Sequence, residues 1–262
     1  MTSIVIITST KNRHKFFANT LAESFNVVGI VSEEKVSEQI GNTSEEDEIV
    51  KTHFLERKEA EDRYFGEHKQ FEIDSASILK VENGQSNSGN VFNWIKSKNP
   101  DFIILFGSSI IKPPILSYYD GKVINIHMGL SPYYRGSGTN FWPLVNNQPE
   151  CVGGTIHLAT LKVDAGSILG QVRPAVEKND RCHDIGCKTV ISGSDKMIEC
   201  INKYKKGEII PSEQNLKIGQ VCKRADFNAR AVKKMWSNFE SGMLEKYINN
   251  KAERDSAFPI IT

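Results

Sequence analysis

The stretch from Val123 to Gln171, VINIHMGLSPYYRGSGTNFWPLVNNQPECVGGTIHLATLKVDAGSILGQ, decides how the chain is read. Its opening, Val123-Ile-Asn-Ile-His127, is a short apolar run suited to a buried strand. Asn125 and His127 stand two apart, so a strand puts both side chains on one face. A polar pair on a face of a core strand is costly unless it is hydrogen-bonded or in use. Turn formers follow at Ser131-Pro132, Arg135-Gly-Ser-Gly138 and Gly153-Gly154. Thr155-Ile-His-Leu-Ala159 reads as a second strand, and Val163-Asp164-Ala-Gly166 as a turn carrying one carboxylate. An amide, an imidazole and a carboxylate can therefore converge from two strand ends, which outlines a reaction site.

On the N-terminal side, Ser3–Thr8 is a β-rich run, a helical apolar pattern runs through Phe17, Leu21 and Phe25, and Val27–Val31 is the next strand. Strand, helix, strand predicts a parallel sheet with a right-handed crossover. The intervening loop lacks G-x-G-x-x-G, so the dinucleotide fingerprint is absent. Asp101–Phe106 reads as a central buried strand, preceded by a helix that Asn99-Pro100 ends. The acid-rich segment after Glu33 holds one long helix, opened by a capping-box-like Ser44-Glu-Glu-Asp47, with His53 either facing the acceptor cleft or a boundary residue. Phe71–Ile73 and Ile78–Val81 are weak strands. Beyond Gln171 a helix from about Lys188 to Lys205 covers the sheet, and 207–222 is a connector. Asp226 caps a last helix carrying Val232, Met235, Trp236 and Phe239, which ends near Gly242. The expected architecture is α/β: a Rossmann-like, mostly parallel sheet flanked by helices over residues 1–206, with a small helical/β extension over 207–262.

The composition narrows the function. A net charge of +1 gives no bulk attraction to nucleic acid or to a membrane surface. No apolar run approaches the roughly 20 residues that span a bilayer. Five cysteines, an odd number without framework spacing and with no secretory start, predict reduced thiols in a cytoplasmic protein. Cys182-His183 with Cys187 fits no zinc spacing, so no metal is expected.

Asn125-Ile-His127, Ser131-Pro-x-Tyr134-Arg-Gly136, Gly154-Thr-Ile-His157 and Asp164-Ala-Gly166-x-Ile-Leu-x-Gln171 together resemble the folate-dependent formyltransferase family. The likeness is strong over about residues 100 to 175 and looser over the rest of 1 to 200. The family pattern has Asn-x-His-Pro or Asn-x-His-x-Ser-Leu-Leu-Pro; this chain has Asn-x-His-Met-Gly-Leu-Ser-Pro, which marks an outlying member and leaves the acceptor open. The resemblance implies transfer of a formyl group from 10-formyltetrahydrofolate to an amine through a tetrahedral intermediate. It makes Asn125, His127 and Asp164 the catalytic set. Asn125 would donate to the developing oxyanion, and His127 would stabilise that charge or move a proton. Asp164 would orient His127 and help relay a proton through water, its pKa raised in the closed cleft. It also makes the apolar loop Ser109-Ile110-Ile111-Lys112, with Val163, the folate pocket, largely through backbone groups.

Arg13 and His14 either hold an anionic part of the acceptor or open a solvated helix. Arg135 either binds substrate or braces its loop, and Trp142 is core. The size, the lack of a basic surplus and the lack of the larger C-terminal barrel of tRNA-acting members point to a small-molecule amine, a nucleotide-linked amino sugar, rather than to nucleic acid. The alternatives are a formyltetrahydrofolate hydrolase, a methionyl-tRNA formyltransferase-like activity, and a non-catalytic folate-binding module. A homodimer is allowed; the sequence fixes no oligomeric state.

Overall fold

The computed structural model describes residues 1–34, 45–73 and 77–262. Its main sheet has seven strands: β1 (Ser3–Ser9), β2 (Asn26–Glu33), β3 (Ser77–Val81), β4 (Phe102–Leu105), β5 (Val123–His127), β7 (Gly154–Leu158) and β8 (Ile168–Val172), in the order β3-β2-β1-β4-β5-β7-β8. The first five run parallel, whereas β7 is antiparallel to both β5 and β8. This is the Rossmann-like α/β arrangement expected from the sequence. A separate parallel pair joins β6 (Tyr134–Gly136) to β9 (Gln220–Cys222).

The unbroken apolar run of β1 follows from burial on both faces. Ile4 and Ile6 enter one core with Phe17 and Leu21 of α1 (Asn12–Ala22) and with Met197 and Ile201 of α6 (Cys182–Lys205). Val5 and Ile7 enter the other with Val91 and Ile95 of α3 (Gly89–Lys98) and Ile115 of α4 (Ile115–Tyr118). The long helix α2 (Glu45–Phe65) sends Ala60 and Phe65 into the first core. The expected cap at Ser44 lies outside the described residues.

Three expectations are corrected. Phe71–Ile73 forms no strand; the Asn19 side chain bonds Gln70 O at 3.2 Å and Glu72 N at 2.9 Å, standing in for a neighbouring strand. The helix expected from Lys188 begins at Cys182, because Asp184 accepts the Arg181 N–H at 2.9 Å and starts it earlier. Asn228, not Asp226, caps α7 (Ala229–Glu240), accepting from Ala231 N at 3.0 Å, while Asp226 is taken by Lys223 N.

The C-terminal segment is bound into the fold. Val232 and Met235 of α7, with Met243 and Leu244 of α8 (Met243–Asn249), share a core with Phe141 and with Leu144 and Val145 of α5 (Trp142–Val145). After α9 (Lys251–Ala257), Ile261 exchanges backbone and side-chain hydrogen bonds with Gln171 on β8. Among the described residues no helix is long and apolar enough to cross a membrane.

Met235 is 1% exposed in that shared core. Met235→Ala is expected to cost about 2–5 kcal/mol, read by urea denaturation as one shifted transition. Two separate transitions would contradict a core shared by the extension with the 141–145 segment and α6.

Candidate active site

The site begins with strand register. Asn125 on β5 lies directly opposite His157 on β7, and His127 opposite Thr155, so all four side chains share one face. Ile124 and Ile126, of the other parity, fill the core under α6. The chain then leaves β7 beside Val123, with Ala159 N bonded to Val123 O at 2.8 Å, and folds back over that polar face. Asp164 therefore arrives from above the strand face rather than from a strand end. It stands at φ 50°, in the left-handed region that Asp tolerates better than most residues.

Asp164 Oδ2 lies 3.3 Å from His127 Nδ1, and Oδ1 lies 3.7 Å from His157 Nε2. The Gly136 N–H donates to Oδ2 at 3.3 Å. Gln214 Nε2 donates to the backbone carbonyls of Asp164 and Gly166 at 3.0 and 2.7 Å. His157 Nδ1–H donates to Leu158 O at 2.9 Å, so its Nε2 accepts from Asn125 Nδ2 at 3.0 Å. One amide N–H of Asn125 is thereby used and its direction fixed. His127 Nε2 lies 3.3 Å from Tyr134 O, so both of its ring nitrogens face acceptors.

Burial pushes the His127 imidazole below its ordinary value against the pull of Asp164. Burial alone would raise Asp164, as expected of a closed cleft, but the two imidazoles and the Gly136 N–H outweigh it and hold the carboxyl below the usual range. The resting pair is a neutral imidazole beside a carboxylate.

Gly136 fixes how the brace behind Asp164 fits. Its φ is 95°, and a Cβ there would come within 2.4 Å of Cys222 O on β9. Only glycine lets the Gly136 N–H face Asp164 while β9 pairs behind it.

The three residues line a cavity of about 750 Å³. On one side it is walled by Leu105, by Ser108–Ile111 after β4, and by Val163, so four of the five residues expected to hold folate border it. The fifth stands away from it. Lys112 does not line the cavity; its N–H is held by Asn87 Oδ1 at 2.7 Å behind the loop. Ser109 borders the space, but its N–H and hydroxyl are both bonded to Glu33 on β2.

The lining also includes Arg13, His53, Arg57, Glu61 and His183, and His14, whose ring packs edge-on to Phe106 at 5.0 Å. Arg13 reaches the cavity already forked onto Glu61, at 2.5 and 2.6 Å, and Arg57 Nε shares that carboxylate at 2.9 Å. Arg135 does not line the cavity; it is 8% exposed and donates to Leu216 O at 3.2 Å, so it braces its loop.

His53 lines the cavity, one of the two places expected for it, and its pairing with His183 is what the sequence did not show. Their ring centroids lie 4.5 Å apart, and neither His53 Nδ1 nor His183 Nε2 meets a hydrogen-bonding partner. Burial pushes His53 down to about 3 and His183 down to about 4, each helped by the neighbouring Arg57. Both are neutral polar groups at neutral pH. Burial also raises the Cys182 and Cys187 thiols beside them to about 12, so neither is a thiolate nucleophile. No group of three or more metal-ligating side chains occurs among the described residues.

The sequence profile of the formyl transferase family matches residues 1–201. The methionyl-tRNA formyltransferase of Thermodesulfovibrio yellowstonii is 30% identical over 150 residues, 57% of this chain and 47% of that protein. The chain thus spans about half the length of the curated relatives it matches. Among solved structures, phosphoribosylglycinamide formyltransferase from Anaplasma phagocytophilum superimposes with a TM-score of 0.56 at 14% identity, covering 86% of this chain and 99% of that one. The N-formyltransferase from Helicobacter canadensis, solved with folinic acid and dTDP-3-aminofucose, gives 0.53 at 16% identity, covering 87% and 73%. At such identities the structural likeness establishes the fold.

The two depressed imidazoles set a pH dependence. The unfolded chain protonates them near 6.5 whereas the folded one resists to about 3 and 4, so their contribution is present above pH 6.5 and lost as pH falls toward 4. The urea midpoint is expected to fall between pH 7 and pH 4.5, and His183→Gln to flatten that slope. An unchanged slope in the variant would contradict the assignment.

Proposed function

Because the chain belongs to the formyl transferase family, we propose that it moves a formyl group from 10-formyltetrahydrofolate to the amine of a small acceptor, most simply a nucleotide-linked amino sugar. The observation that carries this is the Asp164 carboxylate set between His127 and His157, with Asn125 held in the same cavity. Such a set suits acyl transfer: a donor for a developing oxyanion, an uncharged imidazole base, and a fixed charge to stabilise the base once it is protonated.

Asn125 has a second amide N–H beyond the one spent on His157, and that N–H meets the formyl oxygen as it gains charge. His127 is neutral at rest and flanked by two acceptors. A proton taken from the attacking amine turns its Nδ1–H and Nε2–H toward Asp164 and Tyr134 O, which offsets the penalty of burying the cation. The 3.3 Å contact to Tyr134 O is the weaker of the two and the one a substrate would replace. Asp164 keeps the ring oriented and remains ionised throughout. The formylated folate would supply the one-carbon unit. As the amine nitrogen bonds to the formyl carbon, the bond from that carbon to the folate nitrogen breaks. The proton taken up by His127 passes to that nitrogen, leaving tetrahydrofolate and a neutral imidazole. The apolar side of the cavity, with Leu105 and Ile111, suits the flat folate ring while loop amides and carbonyls meet the ring edge.

Arg13 and Arg57 share the single Glu61 carboxylate, which leaves one positive charge over beside two neutral imidazoles and suits an acceptor with an anionic part, such as the phosphates of a nucleotide sugar. The Helicobacter relative solved with dTDP-3-aminofucose supports the same choice. A second reading, methionyl-tRNA as acceptor, is favoured by the 30% identical Thermodesulfovibrio relative. In either case residues 1–206 would carry the reaction and 207–262 would brace it. The five free thiols favour a cytosolic setting.

Release of tetrahydrofolate from 10-formyltetrahydrofolate, followed by absorbance with a panel of amino-sugar nucleotides and with methionyl-tRNA, separates the readings. Release that needs an amino sugar supports the first, and release in buffer alone indicates a hydrolase. Asn125→Ala, His127→Ala and Asp164→Ala are each expected to lower kcat by about 10²–10³ with an unchanged circular dichroism spectrum. Near-normal turnover in any two of them would remove the mechanism.

A further inference from the structure

Glu33 closes β2 with its side chain wholly buried, 0% exposed. A buried carboxylate is strongly unfavourable unless its oxygens are satisfied. Here the satisfying groups come from two loops and are all neutral. The Gly84 N–H donates at 3.0 Å and the Ser86 hydroxyl also donates, both from the segment after β3. The Ser109 N–H donates at 3.3 Å and the Ser109 hydroxyl again donates, from the loop after β4.

Asn87, one residue past Ser86, holds the same loop a second time. Its amide donates to Ile110 O at 2.9 Å, and its oxygen accepts the Lys112 N–H at 2.7 Å. The backbone of 109–112 is thus gripped at three groups from the side away from the cavity, while Ser108, Ile110 and Ile111 border the cavity. Hydrogen bonds to an ionised acceptor are stronger than neutral ones. The donors keep the Glu33 carboxyl below its ordinary range even though burial alone would raise it.

We propose that Glu33 is a positioning residue for the loop 108–112: its buried carboxylate ties that loop to the 84–87 turn and sets its backbone in the form that receives the folate ring. The proposal rests on the reading above, in which this loop is a wall of the folate pocket. A loop fixed in advance loses less conformational freedom on binding, so the ligand binds more tightly.

Two measurements on Glu33→Gln test this separately. The variant keeps the side-chain shape but replaces one acceptor oxygen with a donor that faces donors. Amide hydrogen exchange at 108–112 in the unliganded protein is expected to speed up about tenfold, with β1 and β4 unchanged, and the Kd for folinic acid to rise about tenfold. Ser86→Ala removes one donor on the side away from the cavity and should move both readouts the same way by about threefold; it serves if Glu33→Gln does not fold.

Exchange and Kd both within twofold of wild type would overturn the proposal. So would a lower Tm with loop exchange unmoved, since Glu33 would then only stabilise the fold. Wild-type protein that fails to bind folinic acid, while loop exchange still responds to Glu33→Gln, would sink the folate reading and leave the loop-setting role standing.

Discussion

The site depends on a carboxylate held between two buried imidazoles. Asp164 would be difficult to keep ionised in so closed a place without His127, His157 and the Gly136 N–H around it. Those groups meet only because β7 runs antiparallel to β5 in the register that sets Asn125 across from His157. A slip of one residue would send the polar set into the Ile124–Ile126 core. The hydrophobic alternation that builds the sheet therefore also fixes the chemistry on its other face.

Two loops finish the site, and each is held from behind. The 108–112 loop is tied by Glu33 and Asn87, groups outside the reaction set. The turn carrying Asp164 is held by Gln214, and the Gly136 that donates to it is backed by β9. Function in this fold is thus a matter of support as much as of the reacting side chains, in line with how outer hydrogen bonds keep reactive geometries.

Part of this was legible in the sequence, and the reason is period. Asn125 and His127 two apart in an apolar run announced a polar face on a buried strand, and the continuous apolar runs of β1 and β4 announced a parallel sheet covered on both sides. The motif order brought Asp164 into the same set. Contacts that depend on distant partners were not legible. The pairing of His53 was hidden because His183, 130 positions on, supplies the other ring. Glu33 sat at the head of an acid-rich stretch, and nothing local distinguished it from its solvated neighbours. Arg135 had two open readings, and the hydrogen bond of its guanidinium to Leu216 O selects the bracing one; Lys112 was read as part of the folate pocket, but the Asn87 side chain holds its N–H away from the cavity. His157 was visible only as a recurrent motif position; opposite Asn125 its Nε2 lies between the amide and the carboxylate.

The parallel pairing of Tyr134–Gly136 with Gln220–Cys222 joins segments about eighty residues apart in the chain. During translation, a nascent polypeptide that has emerged only as far as Lys205 can lay down all seven strands of the main sheet, yet it lacks Gln214 and the strand behind Gly136. It also lacks Val232 and Met235, which fill the core around Phe141. The strands that carry Asn125, His127 and His157 are thus made before the segments that hold the Asp164 turn in place.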